Sequence, residues 1–214
     1  MSSYLLKFLK KENHINDLLD GKLYMNTLKY FKEKEYLDKA RADKFETIFS
    51  HKQQKFDFIN INGTYFTNTQ IQKGSITSIS QRFDLCNIFC LFALWKEKED
   101  DKIFIDEKNK TFGKYCICIT DVQEFLNRVI KVIEKENIEC SFMKVNYINK
   151  DEDYKIDIDE VPFTKFDNFK YQNEFRIAID TKKNINKSYI LEIGDIRDIA
   201  FSTSIDELNQ SLLK

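Results

Sequence analysis

A chain of 214 residues is long enough for one well-packed domain and short for two, and nineteen Phe and ten Tyr in a 42% apolar composition exclude a disordered chain. Thirty-four basic against thirty-five acidic residues leave a net charge of −1, which excludes the bulk positive field of a nonspecific nucleic-acid binder while leaving room for a local basic groove. No stretch is apolar for the length of a membrane-spanning helix; the longest runs, such as Ile88–Trp95, are strand-sized, so no membrane partner is expected.

The opening MSSYLLKFLKKENH mixes basic residues into a short apolar run and lacks a small-residue cleavage site, so it does not read as a secretory signal. Tyr4–Leu9 is a strand-like run. Asn13 is placed to cap a short helix over His14–Asp20, which Gly21 ends in a left-handed conformation. Leu23–Leu28 reads as a second strand and Lys29–Tyr36 as a short amphipathic helix. The charged stretch from Glu33 to Glu46 has few apolar residues and reads as a surface loop or frayed helix.

Phe56–Asn62 and Thr64–Ile71 flank Asn62-Gly63, a strong hairpin signal because a type I′ turn needs positive φ at both central residues. Asn87–Trp95 is nearly all apolar and predicts a central strand buried on both faces. Lys96–Lys110 is a charged loop and Lys114–Ile119 a strand. Asp121–Asn137 is a helix with an apolar stripe at Val122, Phe125, Val129, Val132 and Ile133, capped by Asp121 with Glu124 three residues on. Cys140–Ile148 is a strand and Asp151–Glu160 an acidic connection. Phe169–Asp180, Ser188–Ile193 and Ile199–Ser202 are further strands, and Ser204–Leu213 is a closing helix capped by Ser204. One Pro, five Gly and no linker tract predict one domain over 1–214. The mixed element order favours α+β over a doubly wound fold.

The candidate chemistry is sparse. Cys86, Cys90, Cys116, Cys118 and Cys140 lack zinc-knuckle spacing and sit in or beside apolar strands, so they read as small core residues and no metal is expected. Their odd number without a secretory signal predicts reduced thiols and a cytoplasmic location. His14 and His51 lie in unrelated polar segments, and no G-x-S-x-G, P-loop or G-x-G-x-x-G is present. The run from Asp151 to Glu160 lacks the glycine and spacing of an EF-hand. In Phe169–Asp180, strand alternation puts Phe169, Tyr171, Phe175, Ile177 and Ile179 on one face and Lys170, Gln172, Glu174 and Arg176 on the other. Gln172 and Glu174 would then reach one ligand, although a solvated strand face explains the same polar residues. Asp43 and Glu46 are a second point of interest, read locally as a salt-bridged loop.

The layout Tyr4-Leu-Leu-Lys7-Phe, a short helix, then Gly21-Lys-Leu-Tyr24-Met-Asn26 and Tyr30-Phe31, with Tyr171-Gln-Asn-Glu174-Phe-Arg176 late in the chain, resembles small bacterial and phage proteins of the ADP-ribosyltransferase-like superfamily. The resemblance implies a mixed or antiparallel split β-sandwich with three to four short helices that grips NAD between two sheets. It implies Lys7, where the family carries Arg or His, and Tyr24 and Asn26 as NAD-binding residues, and Glu174 as the late catalytic acid with Gln172 positioning the acceptor. It further implies transfer to a protein or nucleic-acid acceptor in a toxin or phage-conflict setting, with a cognate antitoxin or defence-system protein as partner. Thr67 or Thr69 would fill the family's mid-chain hydroxyl, since Ser202-Thr203-Ser204 comes after Glu174. Two rivals stand beside it: a non-catalytic binding module of the same fold, acting as inhibitor or nucleotide sensor, and a nuclease or hydrolase built on the acidic clusters.

Overall fold

The computed structural model describes residues 3–33, 43, 45–54, 58–67, 74–95, 104–183 and 185–212. The described chain opens with β1 (Tyr4–Leu9), α1 (Asn13–Leu19), β2 (Lys22–Thr27) and α2 (Leu28–Glu33). β3 (Ile48–Gln54), β4 (Phe58–Ile61), β5 (Thr64–Thr67) and β6 (Gly74–Ile79) follow, then β7 (Asn87–Leu94), β8 (Tyr115–Ile119) and α3 (Val122–Glu136). The last third is β9 (Glu139–Lys144), β10 (Asn146–Ile148), β11 (Tyr154–Lys155), β12 (Thr164–Phe166), β13 (Glu174–Asp180), β14 (Tyr189–Glu192), β15 (Ala200–Thr203) and α4 (Ile205–Leu212). The fold is mixed α+β, with antiparallel sheets, several short helices and, among the described residues, one short parallel ladder between β10 and β12. Among the described residues no helix is long and apolar enough to cross a membrane.

The main sheet runs β14-β2-β7-β1-β8-β15, with β13 against β7 and β9 beyond it. β7 is its centre, as its unbroken apolar sequence predicts. β13 pairs along nearly all of β7, from Glu174↔Phe92 to Ile179↔Asn87. The opposite edge of β7 is shared. β1 takes Phe92–Leu94 and β2 takes only Asn87 and Ile88. Between those ladders, at Phe89–Leu91, β1 and β2 part and the sheet opens. Ala93 N–H donates to Asn173 O on the β13 side at 2.8 Å. Strand alternation therefore turns the N–H and C=O of Cys90, three residues away, toward the opening.

One face of the sheet packs on α3. Phe125, Val129 and Ile133, the predicted stripe, join Leu5, Leu23, Met25, Phe89, Ile117 and Ile177 in one apolar cluster. Each of those three helix side chains contributes about 1.5–3 kcal/mol by burial. Asp121 accepts from Glu124 N at 2.9 Å as its cap, and Asn137 closes the helix in the left-handed region. The other face carries α4 over Leu6, Phe8 and Phe92 at one end. The small β11-β3-β6 sheet has its own apolar cluster around Ile48, Ile148 and Phe166. Ser204 caps α4 with a reciprocal bond from Ser204 N–H to Glu207.

Gly21 and the Asn62-Gly63 turn adopt the positive φ the sequence predicts. At Gly21 a close approach adds to the turn: a Cβ there would stand 1.8 Å from Gly194 O. The α1 cap differs from expectation. Asn13 is inside the helix and Glu12 precedes it with no side-chain cap bond.

The strand predicted over Phe169–Asp180 is shorter. Asp167–Gln172 is a 3-10 helix, Asn173 takes a left-handed conformation, and β13 begins only at Glu174. Both faces of β13 are covered, so the solvated-face reading fails: Arg176 is fully buried and Glu174 nearly so. The predicted surface loop ending at Glu46 also differs, because Asp43 and Glu46 are buried. Residues 34–42 and 96–103, and Thr69, lie outside the described residues.

Candidate functional site

The sequence-predicted site residues reach the opening from three stretches of chain: β1, β2 and the segment leading into β13. Lys7 projects from β1, and its Nζ donates to Cys90 O at 2.6 Å, meeting the carbonyl left unpaired where the sheet parts. The same ammonium lies 4.1 Å from the centroid of the Phe89 ring. Tyr24 and Asn26 are two apart on β2 and so share a face; Tyr24 is 56% exposed. Gln172 ends the 3-10 helix. The left-handed Asn173, tied to Ala93 through its side chain and its carbonyl, then turns the chain into β13 and delivers Glu174.

These five residues line a single cavity of about 840 Å³ together with Glu46, Lys165 and Arg176. Its size falls within the range of small-molecule pockets. Gln172 and Glu174 do converge, but on Lys165 rather than by sharing a strand face. Lys165 Nζ donates to Gln172 Oε1 at 2.9 Å and to Glu174 Oε1 at 2.8 Å. Arg176 Nε donates to Glu174 Oε2 at 2.8 Å, and Glu46 accepts from both Arg176 Nη atoms at 2.8 and 3.0 Å. Lys165 also lies 3.3 Å from Glu46, closing a four-membered buried charge network.

Burial alone pushes the Glu174 carboxyl up, but the charges and hydrogen bonds of Arg176 and Lys165 outweigh it and hold it well below the usual carboxylate range. Burial likewise disfavours the charge on Lys165, and Glu174 and Glu46 reverse that, so its ammonium is held above the ordinary range. Asp43 lies beside this network, and Lys165 and Arg176 compensate its charge only in part. Its Oδ1 accepts from Phe45 N at 2.8 Å, and its buried Oδ2 has no hydrogen-bond partner. Burial first, then the neighbouring Glu46 charge, push its pKa up to about 6.

Lys165 had no place in the sequence reading. Its signal is a lone Lys inside the apolar stretch Val161-Pro-Phe-Thr-Lys-Phe166, where a cation is costly without carboxylates around it. Other candidates fall elsewhere. Thr67 is exposed on the β4–β5 hairpin and is absent from the cavity lining. Thr203 and Ser204 are spent on Glu207 at the start of α4. Cys90 lines the cavity, but burial and the Glu174 charge push its thiol up to about 12, so it is no nucleophile at neutral pH. His51 is buried between Thr77 Oγ1 and Lys150 O, at 2.8 and 2.9 Å, in the small sheet. Among the described residues no group of three or more His, Cys, Asp or Glu is gathered as a metal site. No protein-family model, no curated protein and no solved structure matches the chain.

Proposed function

We propose that the opening between β1 and β2 binds NAD and that the chain is an ADP-ribosyltransferase-like protein transferring ADP-ribose to a macromolecule in a toxin or phage-conflict setting. The observation that carries this reading is the convergence of Lys7, Tyr24, Asn26, Gln172 and Glu174, from three separate stretches of sequence, on one cavity. The parting of β1 from β2 along β7 supports it as the split of a split β-sandwich.

In this reading the C–N bond to nicotinamide breaks with its electron pair leaving on nicotinamide. The acceptor's lone pair then forms the new bond to the ribose carbon, and the acceptor's proton passes to solvent water. Positive charge develops on the ribose in between, and an ionised, immobile carboxylate stabilises it best. Glu174 has that character. Its depressed basicity suits charge stabilisation rather than removal of the acceptor's proton. Gln172 adds an amide that orients an acceptor without a second charge.

One observation favours a second reading, a non-catalytic binding module of the same shape acting as inhibitor or nucleotide sensor. Both carboxylate oxygens of Glu174 are already engaged, one by Lys165 and one by Arg176. Nicotinamide release by the purified protein and by Glu174→Gln separates the two. Release that falls at least about a hundredfold in the variant, the range of one lost electrostatic group, supports transfer. Equal release from both proteins removes Glu174 from the chemistry, and NAD binding without release supports the sensor.

A further inference from the structure

We propose that Asn109 is a specificity-determining residue of the cavity, its side-chain carbonyl accepting a hydrogen bond from the carboxamide N–H of nicotinamide; this rests on the NAD reading above. Asn109 belongs to the 3-10 helix Glu107–Phe112, in a stretch whose sequence reads only as a charged loop. It lines the cavity and is only 1% exposed. Two backbone carbonyls fix the orientation of its amide. Asn109 Nδ2 donates to Asp106 O at 3.1 Å and to Tyr171 O at 2.9 Å. Turning the amide over would set Oδ1 against both carbonyl oxygens, acceptor against acceptor. Neither Asp106 nor Tyr171 lines the cavity, so the nitrogen edge of the amide faces away from it and the oxygen edge is what Asn109 presents there. Among the described residues none donates to that oxygen. A buried amide carbonyl costs free energy until a donor meets it, so the matching ligand group is an N–H or an O–H.

The neighbours of Asn109 decide which donor fits. Residues three apart in a 3-10 helix fall in line, which puts Phe112 on the same side as Asn109. Phe112 packs on a cluster containing Leu6, Phe8 and Phe92, and all four line the cavity. The Phe8 and Phe92 rings stand 5.8 Å apart, centroid to centroid. Phe92 pairs directly across from Glu174, so their side chains share a face of the sheet. The bond to Tyr171 O ties Asn109 to the residue just before Gln172. The acceptor oxygen and the wall of rings therefore lie at the end of the cavity that holds Gln172 and Glu174, where the proposed bond cleavage takes place. A flat ring bearing a carboxamide uses both features: the ring meets Phe8, Phe92 and Phe112, and the amide N–H meets Asn109 Oδ1. The same ring bearing a carboxylate brings only lone pairs to that oxygen and has no hydrogen to share. Asn109 thus selects NAD over its acid counterpart, nicotinic acid adenine dinucleotide.

Calorimetric titration of the full-length protein with NAD and, separately, with nicotinic acid adenine dinucleotide tests the assignment. The wild-type chain is expected to bind NAD about tenfold or more tightly than the acid, the effect of leaving one buried acceptor unmatched. Asn109→Leu keeps the approximate volume and removes the acceptor, so it is expected to bring the two affinities together. The ratio is the decisive quantity. If Asn109 served only to tie its helix to Tyr171, the substitution would weaken both ligands alike and leave the ratio unchanged. The comparison within the wild-type chain needs no variant and decides the matter even where Asn109→Leu fails to fold. Equal binding of the two dinucleotides by the wild type overturns this proposal and leaves the NAD reading standing. A preference that survives Asn109→Leu undiminished also overturns it, by assigning the selection to another residue. Absence of NAD binding by the wild type overturns it together with the NAD reading.

Discussion

Glu46 grips Arg176 with both carboxylate oxygens, at 2.8 and 3.0 Å, across 130 residues of sequence. The pair joins the segment just before β3 to the strand that carries Glu174, so the small sheet and the main sheet meet through charge as well as through apolar contact. Arg176 has no exposed surface, and without Glu46 its charge is left facing Glu174 alone in the interior. Glu46→Ala is expected to destabilise the fold by about 3–5 kcal/mol, the range for removing one partner of a buried pair. Chemical denaturation measures it. A change within about 0.5 kcal/mol, typical of a surface substitution, would show that the pair is not buried in solution.

Asp43 gives a stability change with pH whose sign is fixed by its raised pKa. Its carboxyl titrates at about 6 in the folded chain against 3.8 ordinarily. Its stabilising contribution is complete below the ordinary value and is lost as pH rises through about 6. Above that the ionised group costs about 3 kcal/mol. Asp43→Asn keeps an acceptor for Phe45 N–H, so it is expected to raise the melting temperature at pH 8 and to leave it nearly unchanged at pH 4. A variant that is less stable at pH 8 contradicts this account of the site.

The depressed carboxyl of Glu174 acts in the opposite direction. Its stabilisation is present above the ordinary carboxylate range and is lost as pH falls through the folded value. Glu174→Gln, which keeps the shape but not the charge, is therefore expected to cost stability at pH 7 and progressively less in strong acid. The difference between the two unfolding curves across pH measures this. A gap that widens in acid would reverse the sign.

Two glycines with similar φ, +81 at Gly21 and +86 at Gly63, separate backbone strain from steric exclusion. A Cβ at Gly63 meets nothing within 4 Å, so Gly63→Ala is expected to cost only the left-handed penalty of about 1–2 kcal/mol. Gly21→Ala adds a collision with the Gly194 backbone and is expected to cost far more, or to prevent folding. Equal losses in denaturation would mean that the Gly21–Gly194 approach is looser than 1.8 Å implies.

The thiols provide a solution check on burial. Burial pushes Cys86 and Cys90 up to about 12 and Cys118 and Cys140 up to about 11. At pH 8 the reactive thiolate is then roughly one part in a thousand or less at each of these. Iodoacetamide is expected to label the native protein slowly and the urea-unfolded protein at all five positions. Rapid native labelling at Cys90 would mean that the cavity floor is open.

Local signals explain which parts of this fold could be read from the sequence. The Asn62-Gly63 hairpin, the stripe and N-terminal cap of α3, the Ser204 cap of α4 and the buried run of β7 each depend on neighbours a few residues away. The 3-10 helix over Asp167–Gln172 defeated the same reasoning, because Phe169 and Tyr171 alternate with polar residues as a strand would. Only the left-handed Asn173 breaks the register. Glu174 and Gln172 were legible as candidates; their charged surroundings were not. Lys165 and Glu46 become meaningful only when β12 and the residues before β3 are folded against β13, and no local pattern encodes that meeting. The charged stretch ending at Glu46 looked solvated because its partner Arg176 lies so far along the chain.

The claim on which the functional reading rests is that the opening between β1 and β2 is a dinucleotide site. Calorimetric titration of NAD into the wild-type chain and into Asn26→Phe, which fills the opening from β2, tests it most directly. The account predicts saturable binding at one site by the wild type and its loss in an Asn26→Phe variant with wild-type melting behaviour. No binding to the wild type, or undiminished binding to the variant, would contradict it.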